Sequence, residues 1–248
     1  MENNIAVNAI AEVKSTREFL RSLEVPQQTS YYKPVSHGQL MDLTLESLER
    51  CDFKLRSEEY TFASGGAKAN GKYHLDYGND PDMSIMIAWQ NSYNKQLSLK
   101  FAIGGYVFIC ENGMVRGDMG TFKSKHMGQI QTMTPKLLTE YISDAGETFE
   151  KMVIEKKRMQ EIEVTRKTTA ELLGRMYIEE GIITSTQLNI IKSELIKPTF
   201  DYGHPDSLWE LYNHTTYALK SATPTTWLQQ QMNNHQFFTE EYGIAELV

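Results

Sequence analysis

The segment RGDMGTFKSKH, residues 116–126, gathers Arg116, Lys123, Lys125 and His126 in a chain whose formal net charge is −7. Shortly before it stand Lys95 and Lys100, together with the aromatics Tyr93, Phe101, Tyr106 and Phe108. Cations beside aromatic faces are the chemistry that holds single-stranded nucleic acid: the cation neutralises phosphate, and a ring stacks on a base for roughly 1–3 kcal/mol without needing a sequence code. The expected nucleic-acid-binding set is therefore Tyr93, Lys95, Lys100, Arg116, Lys123, Lys125 and His126. The same aromatics alternate within strand-like runs, where such residues ordinarily face a core.

Other chemistries leave less trace. The six histidines, His37, His74, His126, His204, His214 and His235, form no HExxH or HxxxH pair, so no metal site is expected, because ligation needs groups aimed at one point. There is no GxSxG and no paired Cys/His signature of a nucleophile. No catalytic residue and no cofactor are expected, and an enzyme with a dispersed site around Asn112, Asp118 and His126 is the weakest reading. The loop SGGAKANGK, residues 64–72, lacks phosphate-cradle spacing and leads into a strand, so it reads as a flexible hairpin connection, with a mobile basic loop as the minor alternative. Asp76, Asp80 and Asp82 suit turn geometry. The run KMVIEKKRMQEIEVTRK, residues 151–167, mixes Glu and Lys at helical offsets and reads mainly as a solvated, self-paired face.

The elements that must position these groups follow from periodicity. Forty per cent hydrophobic and 23% charged residues describe a chain able to fold and bury a core. The acidic balance argues against a protein that grips a duplex over a broad surface. Cys51 and Cys110 are far apart and form no CxxC pair, as expected of reduced, buried thiols, with Cys110 in the sheet core. No signal segment and no membrane span are recognisable, so the expected location is the cytoplasm.

Residues 1–35 read as an N-terminal arm with a short helix over Ile5 to Leu23. Ser36 to Gln39 forms a capping box opening a helix to Cys51. From Phe53 to Glu111 short runs rich in Ile, Val, Phe and Tyr alternate with turn residues, an antiparallel meander in which Gly104-Gly105 marks a bulge, a bend or a close approach. After Thr134-Pro135, with proline at the first helical position, Leu138, Ile142, Ala145, Phe149, Met152 and Met159 make one stripe on a long helix ending near Val164. Capping boxes at Thr168–Glu171 and Thr184–Gln187 open two more helices, stopping at Gly181 and before Pro198. A helix over residues 206–222 and a short one at residues 227–233 complete the chain. The fold class is α+β: a helix plus antiparallel sheet over residues 36–134, then a helical region, residues 135–248, packed on it as one domain.

The combination of Asn91-Ser92, Cys110-Glu111-Asn112-Gly113, His126-Met127-Gly128 and Trp209-Glu210-Leu211-Tyr212-Asn213 resembles a phage- and plasmid-borne family known as domain of unknown function 932, over roughly residues 85–235. The resemblance implies genes carried by bacteriophages, prophages and plasmids and no established reaction. It implies pattern positions at Asn91, Ser92, Cys110, Asn112, Gly113, Trp209 and Asn213, which read as structural, with Asn-Gly supplying a positive φ at a tight turn.

The expected function is a non-enzymatic phage or plasmid accessory protein that binds nucleic acid, single-stranded in the first place, with a recombination or annealing role. The order of strands followed by a long helix is similar to the core of single-strand annealing proteins, a likeness of topology alone. The alternative is a counter-defence or host-modulating protein that binds and inhibits a host protein, which an acidic surface favours. Homo-oligomerisation is a further possibility, and no membrane partner is expected.

Overall fold

In the computed structural model, residues 13–116, 121–223 and 225–244 are described. Among the described residues seven strands form one antiparallel sheet: β1 Val13–Ser15, β2 Leu55–Ala63, β3 Lys68–Leu75, β4 Met83–Ser92, β5 Leu99–Val107, β6 Asn112–Val115 and β7 Thr121–Ser124. The order is β1-β2-β3-β4-β5-β6, with β7 also pairing β5. From β2 to β6 each strand pairs with its neighbour in sequence, as the alternation of strand runs and turn residues expects. The sheet is wider than residues 53–111, because β1, β6 and β7 join it.

The helices are α1 Arg17–Ser22, α2 His37–Arg50, α3 Ile130–Ser143, α4 Ala145–Glu161, α5 Arg166–Gly174, α6 Ser185–Ile196, α7 Leu208–Ala218 and α8 Trp227–Glu241. Ser36 caps α2 by accepting from the Gln39 amide, and Thr184 and Gln187 complete the capping box of α6. The stripe on α3 and α4 packs as expected: Leu138, Ile142, Ala145, Phe149, Met152 and Met159 are all buried, Phe149 at 0% exposure.

Several boundaries differ from the sequence reading. The expected helix over Ile5–Leu23 gives way to strand β1 and the two-turn α1, and residues 5–12 lie outside the described residues. Pro135 is interior to α3, which starts five residues earlier at Ile130. The long helix breaks at Asp144 into α3 and α4 and ends at Glu161. The cap of α5 is Thr165, which accepts from the Thr168 amide, so the helix begins three residues before the expected box. Helix α8 runs on to Glu241 rather than ending near Asn233. Gly104 and Gly105 pair in regular register, and the irregularity lies between Leu55 and Ser57. The glycines serve close approach instead: a Cβ on Gly105 would sit 2.3 Å from Met83 Cε.

Alternation splits the sheet into two unlike faces. One face carries Tyr60, Tyr73, Ile85, Ile87, Trp89, Phe101 and Ile103, buried in the main core with the stripe of α3 and α4. On the other, Met86, Ala88, Ala102 and Val115 pack beneath Trp227 and Leu228 at the start of α8.

Candidate functional site

The seven residues expected to bind nucleic acid do not form one exposed patch. Arg116 is 3% exposed and sits 2.8 Å from Glu155 Oε1. Tyr93 is buried, its ring stacked on His37 at 4.0 Å and its hydroxyl accepting from the His37 amide at 2.8 Å. His126 is buried edge-on to Tyr32 at 5.8 Å. These three are corrections: a paired buried guanidinium cannot meet a phosphate, and enclosed rings cannot stack on a base. Lys95 and Lys125 are exposed, and Lys95 Nζ lies 4.7 Å from the centre of the Tyr32 ring. Lys100 is half-buried and donates to Gln229 at 2.7 Å. The backbone of Lys123 pairs with that of Lys100. Asp118 lies outside the described residues.

The second face of the sheet holds what the linear sequence hides. Register aligns Lys14 with Thr61, Thr61 with Asn70, Asn70 with Gln90, Gln90 with Lys100 and Lys100 with Lys123. Paired residues share a face, so these six positions form one polar ladder across β1, β2, β3, β4, β5 and β7. Lys68 and Lys72 stand on the same face in neighbouring rows, within β3 rather than in a mobile loop. Lys72 Nζ lies 4.1 Å from the Trp227 ring centre, and Gln90 donates to the Thr225 carbonyl at 3.2 Å. Among the described residues four lysines, Lys14, Lys68, Lys72 and Lys100, thus share a strand face with one carboxylate, Glu59, in a protein of net charge −7. With strands about 4.8 Å apart, the ladder is about 24 Å long. The linear sequence does not reveal it, because partners distant in sequence meet only through register.

The family-pattern residues prove to be joints. Asn91 Nδ2 donates to the Val35 carbonyl at 2.8 Å and to His37 Nδ1 at 3.0 Å, while His37 Nε2 donates to the Gly66 carbonyl at 3.1 Å. Both ring nitrogens are used by a neutral imidazole, and burial lowers the His37 pKa to about 4. Asn91 and Tyr93 therefore hold the incoming arm to the start of α2. At the other end of the sheet, Asn112 Nδ2 donates to the Asn213 carbonyl at 3.2 Å and to Thr216 Oγ1 at 3.0 Å. Cys110, 1% exposed in the β5–β6 turn, places Sγ 3.7 Å from Asn213 Oδ1, and Trp209 stacks on Tyr212. The positive φ of that turn belongs to Glu111, with Asn112-Gly113 already inside β6.

Helix α4 is less solvated than its sequence suggests. Glu155, at 0% exposure, lies between Arg116 and His235, whose Nε2 is 3.1 Å from Glu155 Oε2. His235 Nδ1 is 3.3 Å from the hydroxyl of Tyr212, whose pKa burial raises far above its usual value. Lys156 donates to Asp80 at 2.7 Å and to Asp82 at 2.8 Å, so two turn aspartates also anchor α4. These groups join β6, α4, α7 and α8 and have the burial of structural ties.

A further concavity lies between α5, α6 and the start of α7: a groove of about 640 Å³, mostly apolar, with His214 in its wall. Among the described residues no three His, Cys, Asp or Glu side chains are grouped to hold a metal ion, and no helix is long and apolar enough to cross a membrane.

Comparison with known families matches residues 29–236 to the model for a domain of unknown function, number 932. The match covers most of the chain, and the chain belongs to that family. No curated protein and no solved structure matches it.

Proposed function

We propose that the protein is a non-catalytic accessory of a phage or plasmid that holds single-stranded nucleic acid along the polar ladder of its sheet. The observation that carries this reading is the segregation of Lys14, Lys68, Lys72 and Lys100 onto one strand face. At about 3.4 Å per nucleotide of a stacked strand, a 24 Å ladder matches about seven nucleotides, inside the range of single-strand binding sites. Between the lysines Thr61, Asn70 and Gln90 are buried, and Gln90 is held by the Thr225 carbonyl, so contact with a strand falls to the lysine ammonium groups. The exposed Lys95 and Lys125 follow β4 and β7 at one end of the sheet and extend the cationic path, and Tyr31, 80% exposed, stands in the neighbouring arm as a stacking surface.

The test is fluorescence anisotropy with labelled single-stranded DNA and RNA at 50 and 200 mM salt. Replacing Lys14, Lys68 and Lys100 by Ala should flatten the salt dependence by about two units of slope, at about 0.7 per phosphate contact on a single strand. Replacing Lys95 and Lys125 should have a smaller effect of the same kind. Absence of binding by the unmodified protein at low salt sinks the reading and leaves the protein-partner reading in its place.

A further inference from the structure

The groove between α5 and α6 has the form of a helix bundle with one helix missing. Helix α5 and the π-helical turn that continues it, Arg175–Glu179, face the groove with Arg166, Thr169, Leu173 and Tyr177, offsets of 0, 3, 7 and 11. Helix α6 faces it with Leu188, Lys192 and Leu195, offsets of 0, 4 and 7. Stripes of this period are the surface one helix offers another, and side chains of a third helix fit between two of them. Leu211 and His214 of α7 also line the groove.

Three observations indicate what fills it. Ile178 is 78% exposed and Ile196 75%, with Tyr177 and Leu195 each at 41%, so apolar side chains project around the groove as well as into it. A small ligand is enclosed by its pocket and gives such projecting groups no cover, whereas an apposed helix does. Among the described residues neither Arg166 nor Lys192 is ion-paired. The lining carboxylates Asp206 and Glu210 stand together at the α7 end, where Glu210 accepts from the Asp206 amide at 2.8 Å, so the charged lining of α5 and α6 is cationic. Finally, His214 is 1% exposed, its Nδ1 lacks a hydrogen-bond partner, and the nearest carboxylates, Glu194 and Glu210, stand 3.9 Å from its two ring nitrogens. A π-helical turn at the groove fits this pattern, since such turns recur at functional sites.

We propose that the groove receives an amphipathic helix of a partner protein, with apolar residues at i, i+3 or i+4, and i+7, and acidic residues on its flanks facing Arg166 and Lys192. The stripe on α6 from Leu188 to Leu195 is about 10.5 Å long, which is two helical turns and sets the minimum length of the partner segment. Recognition rests on apolar anchors for affinity and on flanking charge for choice of partner.

The full-length protein is used to select from a displayed library of 16-residue helical peptides, and the best peptide is then synthesised with a fluorescent label. The expected winners carry apolar residues at that period with acidic flanks. Ile178→Asp with Ile196→Asp should weaken the labelled peptide at least tenfold. Arg166→Glu with Lys192→Glu should weaken it about tenfold, and a peptide with lysine flanks should recover binding to that variant. All four positions are exposed, and circular dichroism checks that the variants remain folded. Enrichment of no peptide, or of peptides indifferent to both variants, overturns the proposal. So does a dimer in solution that Ile178→Asp splits, which assigns the groove to a second copy. Saturable binding of a fluorescent long-chain fatty acid that displaces the peptide and is lost in Ile178→Asp likewise assigns it to a small amphiphile.

Discussion

The two faces of the sheet are written by the same strands, yet they differ in almost every physical respect. On the core face, Tyr73, Ile85, Ile87 and Trp89 pack among helices, and the polar groups nearby are joints, such as Asn91 to His37 and Asn112 to Asn213. On the other face, Thr61, Asn70, Gln90 and Lys100 line up in one row, and apolar packing is confined to the patch under Trp227. A period of two lets one sequence specify both, because each residue step crosses the sheet. Polar groups on the core face act on stability, and the ladder is divided: Gln90 and Lys100 are tied to Thr225 and Gln229 at the start of α8, while Lys14 at its edge is exposed.

That contrast is broken or sharpened by four measurements. The largest effect is expected from Glu155→Ala, which removes the carboxylate held between buried Arg116 and His235 and should cost about 3–5 kcal/mol in urea unfolding; a loss below about 1 kcal/mol would show the network to be dispensable. Acid comes next. His37, His74, His126 and His214 all have pKa values lowered by burial, so they stay neutral in the fold and take up protons when unfolded. For His37 the contribution to stability is complete above about pH 6.5 and is lost as pH falls toward about 4, a change of roughly 3 kcal/mol. Thermal unfolding between pH 7 and pH 5 should therefore show falling stability, and His37→Gln should reduce the slope.

Third, Asn91→Ala should cost about 1–3 kcal/mol, because it strips donors from the Val35 carbonyl and from His37. Peptide-level hydrogen exchange should show the arm around residues 32–37 opening first. The smallest effect on stability belongs to the open part of the ladder: changing Lys14 and Lys68 to Ala should move unfolding by about 0.5 kcal/mol or less per site, whereas Lys100, half-buried on Gln229, should cost more. A large loss there would turn the ladder into another structural joint.

The sequence made the architecture legible where local signals suffice. Turn residues separate the strands, and the stripe from Leu138 to Met159 marks the helices that cover them. Thr184 and Gln187 announce α6 because a capping box is local chemistry. The misplaced cap of α5 has the same origin: Thr165 and Thr168 offer equivalent hydroxyls one turn apart, and only the path of the chain chooses between them. Buried Glu155 and Lys156 were hidden because glutamate and lysine at helical spacing look alike whether water or Arg116 and Asp80 surrounds them. The ladder was hidden more deeply, since its members come from six strands between Lys14 and Lys123. Tyr93 and Arg116 misled for the converse reason: an aromatic or a cation near a turn gives no sign of which side of the chain the core lies on.

The neighbour-to-neighbour order of β2 to β6 also has a consequence in time. Each hairpin closes a short loop, so the sheet has little search to do and is complete in sequence at Ser124. Helices α4 and α7, which seal its apolar face, follow, and α7 ends at Ala218. At about 5–20 residues per second, those some 94 residues take about 5–19 s to be synthesised. During that interval a nascent sheet presents Trp89, Phe101 and Ile103 to its surroundings, so the period of greatest aggregation hazard is set by translation rate rather than by folding rate.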